Sequence, residues 1–348
     1  PGASQATIYP FNTADPMLGD PVPDNATGLL LRWTQWMLDE FHVDGFRLDA
    51  IKHVPSWFWD TFWDSSVYQR RRTPDGRLVT PFSFGESVES NQFTYDNFVR
   101  KVNNNSGQSW RAGDSFGNRD ALDLNGAGSI RDLVNAGGFG SWQNAAGAHL
   151  DNQDGFNDGS LGVNHVWSHD NGSAGNGSSS PPTPTARQQG DAANAYLLMR
   201  TGPANVYHNG RGISRSGGFF PREGVPIALG VNPATNGADA TIADLVRLRN
   251  FLARGELNFL NWGAADDVML FERRTNTGSG YSGNVLVGVN DRYDSGYDQR
   301  SVTTSFPSGT RLVEQTGNAA SATVDPGNAI SEVLTVGGGG SVTIRVPR

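Results

Sequence analysis

The stretch Val43 to Val54, "VDGFRLDAIKHV", carries five charged or titratable side chains beside an apolar run, and its reading decides the fold. Alternation along an extended chain puts Arg47 and Asp49 on one face and Phe46, Leu48 and Ala50 on the other. A cation and a carboxylate therefore meet at the C-terminal end of a strand, where Asp49 is expected to stay ionised. A structural ion pair is the alternative, but removing each ion from water costs several kcal/mol, which makes such a pair a poor way of stabilising a sheet. Lys52 adds a second hint. Apart from Lys52 and Lys101, every basic side chain is arginine, so a slender ammonium at 52 suggests a requirement that a flat guanidinium fork does not meet.

Working outward, "DNATGLLLRWTQWMLDEF" precedes this strand with apolar residues at helical spacing and an N-cap candidate at Asp24 or Asn25. After it, "PSWFWDTFWDSSVYQRR" reads as a helix capped by Ser56, followed by a Pro74-Asp75-Gly76 turn and the buried strand "VTPFSFGE". Strand candidates "DALDL", "LGVNHVWSHD" and "GPANVYHN" then alternate with the helical runs "SIRDLVNAG", "RQQGDAANAYLLMR" and "TIADLVRLRNFLARG". Alternation of this kind predicts an α/β fold, a parallel sheet covered by helices. From Leu257 onward only strand patterns remain ("GNVLVGVND", "TRLVEQ", "SEVLTV", "SVTIRVP"), which predicts an all-β antiparallel sandwich over 257–348 after an α/β domain over 1–256. The low-complexity run Asn171 to Thr185, "NGSAGNGSSSPPTPT", has too little apolar content to pack and is expected to be a mobile loop.

Composition removes several classes of function. A net charge of −8 and no basic run beyond Arg70–Arg72 argue against nucleic acid. No apolar stretch approaches the roughly 20 residues needed to span a bilayer, so no membrane partner is expected. Without cysteine there are no disulfides and no thiolate chemistry. Abundant Gly, Asn, Ser and Thr lean toward an exported protein, and we expect a secreted monomer.

Two further strand ends repeat the charged pattern. "FSFGES" places Glu86 behind an apolar strand, where burial would raise its pKa and suit it to general acid work. "VNHVWSHDN" ends on His169 and Asp170. One such group alone is more often a cap or a surface residue. In a parallel barrel, however, strand C-termini converge on one rim, so Asp49, Glu86 and Asp170 are expected at a common cleft. One ionised and one protonated carboxyl are what cleavage of a glycosidic bond requires. Among the aromatics, Trp57, Trp59, Phe62 and Trp63 sit at helical spacing and read as core, whereas Trp167 and Tyr207, near strand ends, are the candidate sugar platforms. "DRYDSGYD", Asp291 to Asp298, spaces its carboxylates like a loose cation loop but reads as an ordinary turn.

"GFRLDAIKHV", "GES" and "VWSHDN", in this order, resemble the second, third and fourth conserved regions of the alpha-amylase family, glycoside hydrolase family 13. The resemblance implies a (β/α)8 TIM-barrel catalytic domain followed by a C-terminal β domain. It implies Asp49 as nucleophile, Glu86 as acid/base and Asp170 as the carboxylate that grips sugar hydroxyls. Arg47 would orient Asp49, His169 would bind the sugar being cleaved, and Lys52 and His53 would line the leaving-group side. The implied substrate is an α-1,4-linked glucan such as starch or a maltooligosaccharide, cleaved with retention. Transglycosylation by the same residues, or a carbohydrate-binding relative that has lost catalysis, are the alternatives.

The chain also departs from the pattern. The family's first conserved region, an Asp followed four and five residues later by Asn-His, has no counterpart, and Asn164-His165 lies on the wrong strand. About the last five barrel strands are therefore expected here, with residues 1–24 as the tail of an inserted domain and the chain as a fragment. Resemblance further implies Ca2+ near the main-chain carbonyl of His53, although most of the hard oxygen ligands such a site needs would be missing. No organic cofactor is expected.

Overall fold

A Cβ on Gly45 would run into the backbone carbonyl of Phe82, so only glycine lets this strand close on its neighbour. The computed structural model describes residues 26–100, 117–168, 170, 184–202, 205, 240–317 and 333–348. They belong to two compact units, Pro1–Leu124 and Asn125–Arg348.

The first unit opens with helix α1 (Ala26–Asp39) and strand β1 (Gly45–Leu48). The apolar face of β1 packs inward: Leu48 is buried with Ile51, Trp59 and Trp63, and Phe46 meets the Trp63 ring edge-on at 5.2 Å. A 3-10 turn (Ile51–His53) follows, then a π-helical turn (Phe58–Trp63) that runs into the short helix α2 (Asp64–Val67). As the helical spacing suggests, Trp59 and Trp63 are core; Trp57 is exposed. The Pro-Asp-Gly turn joins a small hairpin, β2 (Arg71–Arg72) and β3 (Leu78–Val79). Strand β4 (Phe82–Gly85) leads to helix α3 (Asn91–Phe98), and β5 (Arg119–Ala121) completes a parallel sheet of order β1-β4-β5. Its register pairs Arg47 with Phe84 and Leu48 with Gly85.

A buried ion network anchors the start of β5. Asp60 and Asp64, four residues apart and so on one helical face, both meet Arg119, at 2.6 and 2.8 Å. Arg100 stands 3.4 Å from Asp60. Burial works against the charge on Arg119, but Asp64 and then Asp60 outweigh it and hold its pKa above the ordinary value. The network sits at the N-terminal end of β5, the side of a parallel strand where such groups serve stability.

The second unit contains α4 (Leu124–Ala136), whose first residue marks the division, α5 (Trp142–Gly147), α6 (Pro184–Met199) and α7 (Thr241–Phe251). Among the described residues only strands and 3-10 turns follow. β6 (Glu256–Phe259), β7 (Val268–Asn276) and β8 (Tyr281–Asn290) form one antiparallel sheet. β9 (Tyr297–Thr303) pairs with β12 (Ser341–Pro347), and β10 (Arg311–Val313) pairs with β11 (Val333–Thr335), both antiparallel. Strands from Glu256 on therefore follow the change of period read in the sequence. One core cluster joins Trp142, Tyr196 and Leu197 of the helices to Met269, Phe271, Val287 and Val289 of the strands.

Arginines close the end of α6: Arg249 donates to the carbonyls of Leu198 and Arg200, and Arg273 to that of Met199. Cations are favoured there because the last carbonyls of a helix are unpaired and carry its negative end. Burial, with Arg249 and Arg200 nearby, pushes the Arg273 pKa down to about 10. No helix among the described residues is long and apolar enough to cross a membrane.

Candidate active site

The register of β1 on β4 brings Asp49 and Glu86 to neighbouring strand ends, and the Glu86 amide donates to the Leu48 carbonyl at 3.0 Å. Between the two side chains lies Arg47. Its Nη1 is 3.2 Å from Asp49 Oδ1, and its Nη2 donates to Glu86 Oε2 at 2.5 Å. One planar guanidinium thus holds a carboxylate on each terminal nitrogen, the geometry for which arginine is suited and lysine is not. Asp49 Oδ1 also accepts from the Ala50 amide at 3.0 Å. Ala50 adopts left-handed backbone angles (φ 44°, ψ 51°), which turns the chain sharply away from the strand end.

Exposure differs across the trio: Asp49 is 71% exposed, Arg47 33% and Glu86 18%. The apolar enclosure expected for Glu86 is therefore not found. Its setting is half-buried and charge-paired, because the register turns Arg47 toward β4 as well as toward Asp49. Gly85 precedes it for a steric reason: a Cβ there would stand 2.6 Å from Ile51 Cδ1.

Lys52 does not point out alone. Its Nζ donates to the Val88 carbonyl and to Glu89 Oε1, both at 2.9 Å, which ties the turn after β1 to the segment after β4. His53 is exposed, and its amide donates to the Ala50 carbonyl at 2.9 Å. Among the described residues no group of three or more His, Asp or Glu side chains could hold a metal ion. "DRYDSGYD" holds arginine instead of a cation: Arg348 reaches Asp294 and Asp298 at 3.2 and 2.9 Å. It links β8 to β9, strands of different sheets.

The remaining candidates lie in the second unit or outside the described residues. Asp170 is exposed, with its amide donating to Ser168 Oγ at 3.2 Å. Trp167 corrects an expectation: it is only 2% exposed, packed in the core with Val166 and Tyr196, and a ring so enclosed cannot stack on a sugar. His169, Tyr207 and most of the run Asn171–Thr185 lie outside the described residues. Sequence reading missed Glu89, three residues beyond Glu86, and the buried carboxylates Asp120 and Asp123 on and just after β5. Their signal was the pair of acids in "RDALDL" one strand over from Glu86.

No protein-family model matches the chain. The cytoplasmic alpha-amylase of Escherichia coli is 52% identical over 27 residues, 8% of this chain and 6% of that protein. Among solved structures, a gamma-CGTase from alkalophilic Bacillus clarkii is similar over 91% of this chain and 40% of its own, with TM-score 0.58 and 21% identity. AmyP in complex with maltose is similar over 94% of this chain and 67% of its own (TM-score 0.56, 15% identity). A cyclomaltodextrinase is similar over 92% and 46% (TM-score 0.56, 14% identity). The fold is therefore that of the amylolytic TIM-barrel enzymes with C-terminal β domains. The structures the chain resembles are alpha-amylase family members, as its motifs indicated, and it spans about 40% to two thirds of their length.

Proposed function

We propose that the chain is part of a retaining glycosidase that cleaves α-1,4-glucosidic bonds of starch-like glucans. The observation that supports this most directly is Arg47 holding Asp49 and Glu86 together at adjacent C-terminal strand ends. Asp49, the more exposed, would attack the anomeric carbon from one side of the sugar. Arg47 would keep it ionised and aimed. Glu86 would protonate the departing oxygen and then, as a carboxylate, draw a proton from water as the glycosyl ester is hydrolysed. Retention requires the two carboxyl groups about 5–5.5 Å apart, a separation that sharing one guanidinium favours.

The full-length protein should be incubated with maltoheptaose and the anomeric proton followed by NMR. An initial α product, abolished by Glu86→Gln, is expected. A β product, or full turnover by Glu86→Gln, would overturn the assignment. A cyclising or transferring activity, suggested by the likeness to a CGTase, would appear in the same spectra as cyclic or lengthened products. Absence of any turnover would favour the inert carbohydrate-binding relative.

A further inference from the structure

Every residue from Glu86 to Ser90 is tied down, and the ties come from two directions. From the α3 side, Thr94 donates to the Ser87 hydroxyl at 3.0 Å, and the Ser90 hydroxyl caps the helix by accepting from the Phe93 amide at 3.2 Å. From the β1 side, Leu48 O receives the Glu86 amide, and Lys52 fastens both the Val88 carbonyl and the Glu89 carboxylate at 2.9 Å. Lys52 itself stands three residues past Asp49, in the 3-10 turn Ile51–His53. Its ammonium thus spans the ends of two strands, each of which carries one of the carboxyl groups placed in the chemistry above. With two of its three donors spent inside the chain, Lys52 is built as a strut. A flat guanidinium would not seat on a carbonyl and a carboxylate one residue apart in the same way.

We propose that Lys52 and Glu89 are positioning residues that set the distance of Glu86 from Asp49, rather than groups whose main task is to hold sugar; this rests on the glycosidase reading of the site. Cutting the strut frees the segment that carries Glu86 without touching the Arg47 contacts, and displacement of an acid by about 1 Å can cost on the order of 100-fold in rate.

The test uses the full-length protein with Lys52→Met, Lys52→Arg and Glu89→Gln. On maltoheptaose, Lys52→Met and Glu89→Gln should each lower kcat about 10- to 100-fold with KM changed less than about 3-fold. The basic limb of the kcat/KM profile, which reports the acid, should move in both. The double variant should lose no more than the worse single one, because both cut the same tie. Lys52→Arg should restore only part of kcat. Hydrogen exchange supplies a readout that does not need turnover: amides over 86–90 should exchange faster in Lys52→Met than in the native chain. A rise in KM alone with an unmoved pH profile would overturn the proposal in favour of sugar binding, and so would unchanged exchange over 86–90. Failure of the underlying reading looks different: Glu86→Gln would keep its activity, and the strut would then be judged by exchange alone.

Discussion

Replacing Arg119 with methionine removes the cation that two enclosed carboxylates share. The guanidinium donates to Asp64 at 2.8 and 3.1 Å, to Asp60 at 2.6 Å and to the Phe98 carbonyl at 2.6 Å. Side-chain exposure is 1% for Asp64 and 6% for Asp60, so neither acid can regain water without backbone movement. Removing one member of such a buried network costs about 3–5 kcal/mol, because the carboxylates keep their desolvation cost and lose the guanidinium they share. Arg100 still faces Asp60 at 3.4 Å, so part of the network survives the substitution. At about 2–4 °C per kcal/mol, the melting temperature should fall by roughly 6–20 °C. Urea and thermal unfolding followed by circular dichroism at pH 7 and pH 4 check this. Acid protonates stranded carboxylates and removes their burial cost, so the gap to the native chain should narrow at pH 4. Adding Asp64→Leu to the variant should recover part of the loss. A deficit under about 1 kcal/mol at pH 7, or one indifferent to acid, would refute the reasoning.

Arg47→Met should lower kcat/KM of the full-length protein by on the order of 100-fold while lowering the melt only slightly, since Asp49 is exposed, Glu86 keeps some access to water and such pairs add little stability; maltoheptaose kinetics beside a thermal melt check both halves. Asp151 is raised from 3.8 to about 6, chiefly by burial and against the pull of Arg200. The folded chain thus retains a proton that the unfolded chain gives up, so this contribution is complete below about pH 4 and is lost as pH rises through 6. Asp151→Asn should consequently gain stability relative to the native chain between pH 4 and pH 7, a trend that melts across this range would show or exclude. Gly85→Ala drives a methyl into Ile51 at 2.6 Å and should cost about 1–3 kcal/mol of stability, together with activity because Glu86 is the next residue; calorimetry and kinetics on one preparation test the link.

What could be read beforehand followed the period of the apolar residues. α1, β1 and β4 announce themselves by spacing, and the turn at Pro74–Gly76 by its residue types. α3 and α5 escaped because they are short and carry little apolar pattern, although Ser90 and Ser141 at their N-caps were available as signals. β7 escaped for the opposite reason: its first six residues are all buried, so no alternation survives. At the site, Arg47 was expected beside Asp49, but its hold on Glu86 depends on the register of two parallel strands, which side-chain period alone does not specify. Trp167 was misjudged because an aromatic ring near a strand end looks the same in sequence whether it faces solvent or, as here, a helix layer.

The sharing of one apolar interior by Trp142, Tyr196, Met269 and Phe271 bears on any attempt to treat the C-terminal strands as an interchangeable module. Their inner surface is a wall of the same room that the helices furnish. A transplanted β domain from a homologous enzyme would succeed only if its side chains at 269, 271, 287 and 289 matched this helix layer, and a chain cut near residue 256 would expose a greasy face prone to self-association.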